Sequence, residues 1–564
     1  MESEIGRVVS VWGRNTVKIA VKREMLPLVA GHGTYVKMEG VDGSTLYALT
    51  VGYYMSDENY LKSGIIEEIE GYSSFARTRN EVVAKIVGYL EKDAVRKGVK
   101  APPMPGGPVF LASDEELDKV MGRGEVELGV LSSNMKSRFT LDLNMLASRH
   151  LAVLAMTGAG KSNTVAVLLA EIVRRLDYPR ILVVDTHSEY VPLKSLYPDK
   201  IHVYAPSGKI SLLLEKRYGI EAEPLEIPLW TLGFEEVAGL LGLDSRATKQ
   251  RLHLRNILRR IRASKWELAS ADDPVFFSLN ELRKGVEEPS GRGKSDKSLE
   301  DLVLKLESMI DNPDLDFITR TESDVKAYEE FKEGEPERSG KAFVEVYRRL
   351  LRPGVDIVAL GGLPSEVQAA TVSTLLKALW RIASAYAQAG SRLPTLILVE
   401  EAHVYASAFR EQPSKQILEK IAKEGRKFGV GLIIVSQRPR ELSQTLLAQC
   451  GTLIALRTSN PEDQRQILRS MEDIMEELVT GLSGLSVGEA IVSGPAAPLP
   501  AVVKIHYFKE RYGVELGGKD VDWVSEWSRK PSEEDIIPYL YARTLARKEG
   551  KSGANPDLTK FLSS

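Results

Sequence analysis

The segment that follows residue 149 carries the residue types that hold nucleotide phosphates. The apolar run HLAVL leads into AMTGAGKSNT, whose Gly160, Lys161 and Ser162 match the end of the general phosphate-loop pattern. Ala155 stands where that pattern has its first glycine. Backbone N–H groups of such a loop point at the phosphates, and the following helix adds a favourable dipole. The segment therefore predicts bound ATP, with Lys161 on the outer phosphates and the Ser162 hydroxyl on Mg²⁺. The residues predicted to line this site are Thr157, Gly158, Ala159, Gly160, Lys161, Ser162 and Asn163.

Two later strand ends compete as the source of the acid that holds the metal. ILVVD ends at Asp185, and LILVEEAH ends at Glu400 and Glu401. Asp185 as the metal acid is typical of kinases and small GTPases. Glu400 in that role is typical of motor ATPases, which have an extra strand between the phosphate-loop strand and the strand that carries the acid. We favour the second, because adjacent carboxylates at a strand end point in different directions. Glu400 would hold Mg²⁺ through water and Glu401 would polarise the attacking water. Asp185 would then support the site or position that water.

The next strand and the helix before it supply an amide and two cations. VGLIIVSQRP ends in Gln437, which is placed to sense the γ-phosphate. KIAKEGRKFGVG puts Arg426 and Lys427 at the end of a helix. A ring motor delivers such a cation to the γ-phosphate of the neighbouring subunit. The residues alone leave this role open, because a cation that neutralises a helix C-terminus gives the same pattern.

One further segment, DTHSEY, has two residue types that bind metals. His187 and Glu189 are the two, and two ligands fall short of a usual metal site. We therefore expect this segment to be a hydrogen-bonding loop at the end of its strand.

The segment 246–265, RATKQRLHLRNILRRIRASK, is the most basic part of the chain, with eight Lys or Arg and no acid. At helical spacing its cations and its apolar residues fall on different sides. The predicted basic stripe is Arg251, Arg255, Arg259 and Arg262, and the predicted apolar side is Leu254, Ile257, Leu258 and Ile261. Such a helix would contact DNA phosphates without reading sequence, or would be a solvated or acid-paired face; both readings stay open. Because no aromatic residues interleave these cations, double-stranded DNA is the more natural ligand.

The elements that must position these residues change character along the chain. Short alternating strands such as TVKIAVK and EVVAKIVGY predict a small β-barrel or sandwich over 1–125. Within it, Ser113 and Glu116 have capping-box spacing and predict a short helix. Over 126–208 and 351–510, apolar strands alternate with helices, which predicts an α/β core with a mostly parallel sheet. A helical insertion over 209–350 and a charged extension over 511–564 complete the expected organisation.

Composition limits the compartment and the class of the protein. The 564 residues have a formal charge of −3, so any surface that binds nucleic acid must be local. Cys450 is the single cysteine, which excludes an internal disulfide and fits a reducing cytoplasm. The apolar runs are too short to span a bilayer, and the start of the chain does not resemble a signal peptide. We therefore expect a cytoplasmic protein with no membrane partner.

Taken together, five motifs resemble those of the archaeal HerA helicases, in the FtsK–HerA superfamily of motor ATPases. The motifs are AMTGAGKSNT, VVDTHSEY, ILVEEAH, EGRKFGVGLIIVSQRP and GEAIVSG. The resemblance implies an α/β RecA-like P-loop ATPase core with an N-terminal HAS-barrel. It also implies a homo-hexameric ring that uses ATP to move duplex DNA and acts with a NurA-type nuclease on DNA ends during double-strand break repair. In this pattern Arg426 matches the arginine finger, and Arg149 resembles a second arginine near the nucleotide.

Other functions fit parts of the same sequence. The chain would alternatively be a nucleotide-switched platform that recruits a nuclease without processive movement, or a DNA pump of the conjugation or packaging type. A motor that acts on peptides is a third possibility. A response of ATP hydrolysis to DNA separates the DNA motors from the peptide motor.

Overall fold

A computed structural model describes residues 4–529 except 32, 58–77, 93, 288–296, 322–335, 472–475 and 519–520, and beyond them residues 536, 539–542 and 545. The chain divides into two units. The first comprises Met1–Arg175, Ser436–Arg440 and Leu447–Arg511, and the second comprises Leu176–Val435, Glu441–Leu446 and Tyr512–Ser564. No described helix is both long and apolar enough to cross a bilayer.

The regular elements follow one another closely along the chain. The strands, numbered in chain order, are β1 (Glu4–Trp12), β2 (Thr16–Val21), β3 (Tyr35–Glu39), β4 (Thr45–Asp57), β5 (Thr78–Glu91), β6 (Ala94–Lys97), β7 (Pro108–Leu111), β8 (Val126–Leu131), β9 (Asn134–Leu141), β10 (Leu151–Leu154), β11 (Arg180–Asp185), β12 (Ile201–Ala205), β13 (Glu223–Pro224), β14 (Gly354–Ala359), β15 (Thr395–Val399), β16 (Val430–Ser436), β17 (Thr452–Leu456), β18 (Glu489–Ser493) and β19 (Ala501–Ile505). The α-helices are Leu26–Val29, Asp114–Met121, Leu143–Arg149, Lys161–Arg175, Gly208–Tyr218, Phe234–Leu240, Thr248–Lys265, Leu279–Glu287, Lys297–Ile310, Asp316–Thr319, Pro336–Tyr347, Ser365–Gln388, Ala402–Tyr405, Pro413–Phe428, Gln444–Ala448, Pro461–Ser470, Glu476–Thr480, Phe508–Tyr512 and Trp523–Trp527.

The first unit begins with a closed β-barrel. Its strands run in the order β2-β1-β7-β3-β4-β5, and β5 pairs back with β2, while β6 extends from β5 as a hairpin. Alternate residues point inward and fill the barrel with side chains such as Val17, Ile19 and Ile86, all 0% exposed. Closure leaves no unpaired edge between the first and last barrel strands. The predicted β-rich N-terminus is therefore confirmed as a barrel.

The predicted capping box at Ser113 is also present. The Ser113 hydroxyl accepts a hydrogen bond from Glu116 N, and the Glu116 carboxylate accepts one from Ser113 N. Lys37, on the barrel strand β3, donates to the same carboxylate at 2.8 Å. The helix Asp114–Met121 is thus fixed to the barrel at its first turn.

The second sheet of the first unit carries the phosphate-loop strand. Its order is β10-β17-β18-β19-β8-β9, with β10 and β17 parallel and the other pairs antiparallel. All four residues of β10 are buried. Six residues separate the end of β10 from the start of the helix Lys161–Arg175, so the intervening segment is a short turn at the carboxyl end of a buried strand.

The strands of the second unit are parallel throughout. Their order is β13-β12-β14-β11-β15-β16, with β11 between β14 and β15. In β14, β15 and β16 every residue is buried, as expected for strands covered on both faces. The carboxyl ends of β11 and β15 therefore lie side by side, which places the residues after Val184 next to those after Val399.

The fold class expected from the sequence is confirmed, and two parts of the sheets were not predicted. β12 is a short strand that lies next to the insertion, and β8 and β9 form a hairpin after the barrel. Helices occupy most of the described part of 209–350.

Candidate nucleotide-binding site

Two glycines fold the loop between β10 and the helix Lys161–Arg175. Gly158 has a φ of 76° and Gly160 a φ of 101°, in the region that favours glycine. A Cβ on Gly160 would lie 3.4 Å from the backbone of Gly488, which is ordinary van der Waals contact, so the positive φ is what favours glycine here. At Gly158, no described atom beyond its two chain neighbours lies within 4 Å of such a Cβ. The Lys161 side chain is buried at the start of the helix. This open side, beside a lysine and a helix start, fits the phosphates of a nucleotide.

Backbone hydrogen bonds fix the first half of the loop. The Ala155 N–H donates to Ser436 O at 3.2 Å, and the Met156 N–H donates to Arg457 O at 3.1 Å. The Ala159 N–H donates to Met156 O at 3.3 Å, so this predicted phosphate ligand closes the turn instead of pointing outward. Ala155 is fully buried at the position where the general pattern has its first glycine.

The loop contacts the predicted phosphate sensor directly. The Thr157 hydroxyl donates to Gln437 Oε1 at 2.6 Å. Gln437 is the first residue after β16, and Thr157 is exposed within the loop. Two predicted site residues that lie 280 positions apart are therefore in contact. A ligand that engages the Thr157 hydroxyl would change the partner of Gln437.

The first turn of the helix is tied to the end of the first unit. Asn163 Nδ2 donates to His506 O at 2.8 Å, and the Phe508 N–H donates to Asn163 Oδ1 at 2.8 Å. The Asn163 side chain thus holds the segment 506–508 against the helix, so its backbone N–H is the group that could bind a phosphate. Further along the helix, the fully buried Glu171 lies 3.4 Å from Arg511. Ser162 follows Lys161 in the first turn and is partly exposed.

Arg149 lies at the end of the helix Leu143–Arg149, immediately before the phosphate-loop strand. Its carbonyl accepts a hydrogen bond from Gly451 N at 2.7 Å, while its side chain is exposed. The next residue, His150, is buried with a φ of 60°, and its carbonyl accepts from Thr452 N at 3.2 Å. The backbone is therefore fixed here, and the guanidinium lies at the surface of the first unit.

In the second unit, Asp185 is a buried carboxylate at the end of β11. Its two oxygens accept the N–H groups of Glu189 and Tyr190, both at 2.9 Å. These bonds shape the THSEY segment as the hydrogen-bonding loop expected from the sequence. Burial raises the pKa of Asp185 well above its usual range, and the nearby Glu400 carboxylate raises it further. The two N–H bonds act in the opposite direction.

Glu400 and Asp185 are brought together because β11 and β15 are neighbours. Glu400 is fully buried, and its N–H donates to Val184 O at 3.1 Å. Its carboxylate accepts the N–H of His187 at 3.4 Å. The two acids that compete for the metal role in the sequence therefore interact in one cluster.

Glu401 adopts a left-handed backbone conformation, with φ 47° and ψ 44°. Its side chain is buried, and its carboxylate lies 3.3 Å from His403 Nδ1. The turn is closed by a bond from Val404 N to Glu401 O at 2.8 Å. Adjacent residues Glu400 and Glu401 thus have different surroundings, as the division of labour predicted for them requires.

Three polar residues near these acids were missed by the sequence analysis. The Tyr405 hydroxyl lies 3.0 Å from the Thr186 hydroxyl and 3.5 Å from Gln368 Oε1. The Thr186 hydroxyl also lies 3.0 Å from Glu400 O. Burial raises the pKa of Tyr405, so its hydroxyl keeps its proton. The adjacency of Thr186 to Asp185 was a usable signal, whereas Gln368 lies on a helix that no motif marks.

Arg426 lies in the last turn of the helix Pro413–Phe428, and its side chain is exposed. Gly429 ends this helix with a φ of 78°. Gly425 allows the helix to pass close to β16, because a Cβ there would lie 2.4 Å from Val430 O. The position suits a helix C-terminal cation and leaves the guanidinium accessible from solvent.

The helix Thr248–Lys265 corrects the predicted basic stripe. Its apolar side is buried as expected, but Arg262 is also fully buried. The Arg262 guanidinium donates to the carbonyls of Ala271, Trp230 and Leu232. Arg251 is paired with Glu235 at 2.7 Å. Arg262 therefore has a structural role, since its Nη1 and Nη2 groups donate to three backbone carbonyls in the interior.

Two family models and several curated relatives show that this chain is similar to HerA helicases. The model described as "Helicase HerA, central domain" matches residues 126–379, and "Helicase HerA-like C-terminal" matches 375–508. A probable helicase of Methanocaldococcus jannaschii is 32% identical over 508 residues, covering 88% of this chain and 90% of that protein. The DNA double-strand break repair helicase HerA of Pyrococcus furiosus is 30% identical, covering 86% of this chain and 89% of its own length. Among solved structures, VirB4 of Thermoanaerobacter pseudethanolicus has a TM-score of 0.44 and 16% identity, over 68% of this chain and 96% of that chain.

Proposed function

We propose, from the premise that this chain belongs to the HerA helicase family, that it is an ATP-dependent DNA helicase that translocates on duplex ends during break repair. The observation that carries the proposal is the phosphate loop of Gly158, Gly160 and Lys161 within a chain that matches HerA over 126–508. The curated relatives that support the DNA part are named for double-strand break repair.

The chain's own residues would share the hydrolytic work. The phosphate loop and Lys161 would bind the triphosphate, and Thr157 would exchange its bond to Gln437 for one to the nucleotide. Glu401 would take the proton of the attacking water, with His403 fixing its carboxylate. Ser162 and, through water, Glu400 would hold Mg²⁺, which supplies charge neutralisation at the phosphates. Asp185 would support the site by holding the following loop in place, through the hydrogen bonds that its carboxylate accepts from Glu189 N and Tyr190 N.

The first experiment measures ATP hydrolysis with and without linear duplex DNA. Glu401→Gln should bind ATP as the wild type does, while turnover falls by roughly 10²- to 10⁴-fold, the usual effect of removing a general base. Glu411→Gln is the matched control, since that side chain is 73% exposed and should leave turnover unchanged. Wild-type turnover that is indifferent to DNA at every salt concentration would contradict the DNA part of the proposal.

Unwinding assays separate movement from recruitment. A translocase should lose strand displacement and nuclease-coupled resection in Glu401→Gln, because both need repeated hydrolysis. A nucleotide-switched platform would keep recruitment of a NurA-type nuclease in the same variant, since binding alone would suffice. Retained resection with abolished hydrolysis therefore favours the platform.

Arg426 is proposed as the arginine that acts on the nucleotide of a neighbouring subunit in a homo-hexamer. Arg426→Ala and Lys161→Ala should each be inactive alone. Their mixture should regain part of the hydrolysis, because Lys161→Ala subunits supply the arginine to intact phosphate loops of Arg426→Ala subunits. Native mass measurement gives the subunit number in parallel. No recovery from an assembled mixture would place Arg426 in its own subunit's helix cap instead.

A further inference from the structure

One outer face of the barrel presents two exposed aromatic rings around a lysine. Trp12 ends β1 and is 48% exposed, and Tyr54 on β4 is 50% exposed. The Lys18 ammonium lies 5.7 Å from the Trp12 ring centre and 5.9 Å from the Tyr54 ring centre. The three residues come from three different strands, so no sequence motif joins them.

A buried carboxylate fixes the cations of this face. Glu81 pairs with Tyr54 across β4 and β5, and its side chain is only 2% exposed. It forms ion pairs with Lys18 and with Arg79, the latter at 2.5 Å. Since one carboxylate neutralises one of the two cations, this group of five side chains keeps a net positive charge. The Arg79 guanidinium is 49% exposed and is available to an anion from solvent.

From this arrangement we infer that the face formed by Trp12, Lys18, Tyr54, Arg79 and Glu81 binds single-stranded DNA. Exposed aromatic rings stack on bases of any sequence, and cations beside them contact the phosphates. Lys18 attracts both rings through their π-faces and so holds them in place before a ligand arrives. A duplex hides the faces of its bases, so this surface suits a separated strand. The inference rests on the proposed function, because strand separation is what would supply that ligand.

A neighbouring tyrosine supplies a matched control. Tyr53 lies on the same strand and is 57% exposed, but successive residues of a strand point to opposite faces. Tyr53 is paired with Val82, which is part of the barrel core, whereas Tyr54 is paired with Glu81. Loss of either tyrosine removes a similar exposed ring, and only Tyr54 contributes to the proposed face.

The test measures binding of a fluorescent oligothymidylate to the 564-residue protein without nucleotide. Trp12→Ala and Tyr54→Ala should each weaken binding roughly tenfold, within the range for loss of one stacked base. Tyr53→Ala should stay within about twofold of the wild type. Lys18→Gln and Arg79→Gln should each lower the salt dependence of binding by about 0.7 in the logarithmic slope, as loss of one phosphate contact does. Unchanged affinity in both aromatic variants overturns the inference.

A measurement on the unaltered protein guards against variants that fold poorly. Photocrosslinking with bromodeoxyuridine oligonucleotides should place adducts in peptides that contain Trp12 or Tyr54. Adducts confined to other peptides overturn the inference. Variants of this face that lose binding to a protein partner but keep binding to the oligonucleotide overturn it as well. The readout is separate from that of the proposed function. If ATP hydrolysis does not respond to duplex DNA but crosslinks form at Trp12, the proposed motor function is contradicted and the proposed binding face is supported.

Discussion

The buried Arg262 allows a stability effect to be worked out from its contacts. Burial lowers the pKa of its guanidinium to about 10, although Asp272 and Asp273 act in the opposite direction. These surroundings together disfavour the charged form by about 3 kcal/mol, since each tenfold change in the proton equilibrium corresponds to about 1.36 kcal/mol. Replacement by methionine removes that cost but leaves three buried carbonyls without donors. At about 2 kcal/mol each, these lose about 6 kcal/mol, so Arg262→Met should destabilise this region by about 3 kcal/mol.

Hydrogen exchange measured by mass spectrometry is the suitable assay, because a chain of several units does not unfold in one step. Peptides that cover 230–232 and 269–277 should exchange roughly a hundredfold faster in Arg262→Met, since each 1.4 kcal/mol is a factor of ten. Arg259→Met is the control, as that residue is exposed on the same helix. Wild-type exchange in Arg262→Met would refute the argument that the carbonyls depend on this donor. If Arg262→Met weakened DNA binding without speeding hydrogen exchange, Arg262 would belong to a DNA-binding basic stripe as predicted from the sequence.

Three more outcomes follow from single contacts. Gly160→Ala should weaken nucleotide binding at least tenfold in a fluorescent-ATP titration, because a φ of 101° strains any side chain. Wild-type affinity would show that the loop rearranges freely. Gly517→Ala should speed backbone hydrogen exchange in the THSEY loop, because the new Cβ would lie 2.4 Å from Tyr218 Oη. The double variant that also carries Tyr218→Phe should exchange more slowly than Gly517→Ala alone, because it removes the crowded hydroxyl. Burial raises the pKa of Asp356 to about 8, so the folded protein holds a proton that the unfolded chain has lost above about pH 4. The stability that Asp356 contributes therefore falls as the pH rises from about 4 to about 8, and Asp356→Asn should remove this fall. The melting temperature of the variant minus that of the wild type should grow over this pH range. A constant difference would contradict the prediction.

The phosphate loop and the capping box were predictable because their chemistry is local. Gly160, Lys161 and Ser162 are adjacent in sequence, and the loop needs only a strand before it and a helix after it. Ser113 and Glu116 are three residues apart, which is the spacing that one turn of helix requires. Six parallel strands, β10, β11, β14, β15, β16 and β17, were likewise predictable, since their residues are almost all apolar.

Contacts between distant segments could not be predicted from one sequence. Arg262 has the helical phase of a surface cation, and only the fold supplies the carbonyls of Trp230 and Leu232 that bury it. Trp12 and Tyr54 are 42 positions apart and meet only because the barrel closes through the pairing of β2 with β5. The sequence therefore gave no aromatic–cation pattern for a single strand, although the structure contains one.

Backbone strain in each unit occurs close to residues that we propose for nucleotide chemistry. Four described residues other than glycine have a positive φ, namely Lys92, His150, Ser188 and Glu401. His150 precedes the phosphate-loop strand, Ser188 lies in the loop bonded to Asp185, and Glu401 is the proposed base. A conformation of this kind costs about 1 to 3 kcal/mol and persists only where the surroundings enforce it. Hydrogen bonds from Thr452 to His150 and from Val404 to Glu401 are part of that enforcement. Three of the four strained positions in the described part of the chain thus lie at or beside residues that we propose for nucleotide chemistry, and Lys92 is the exception.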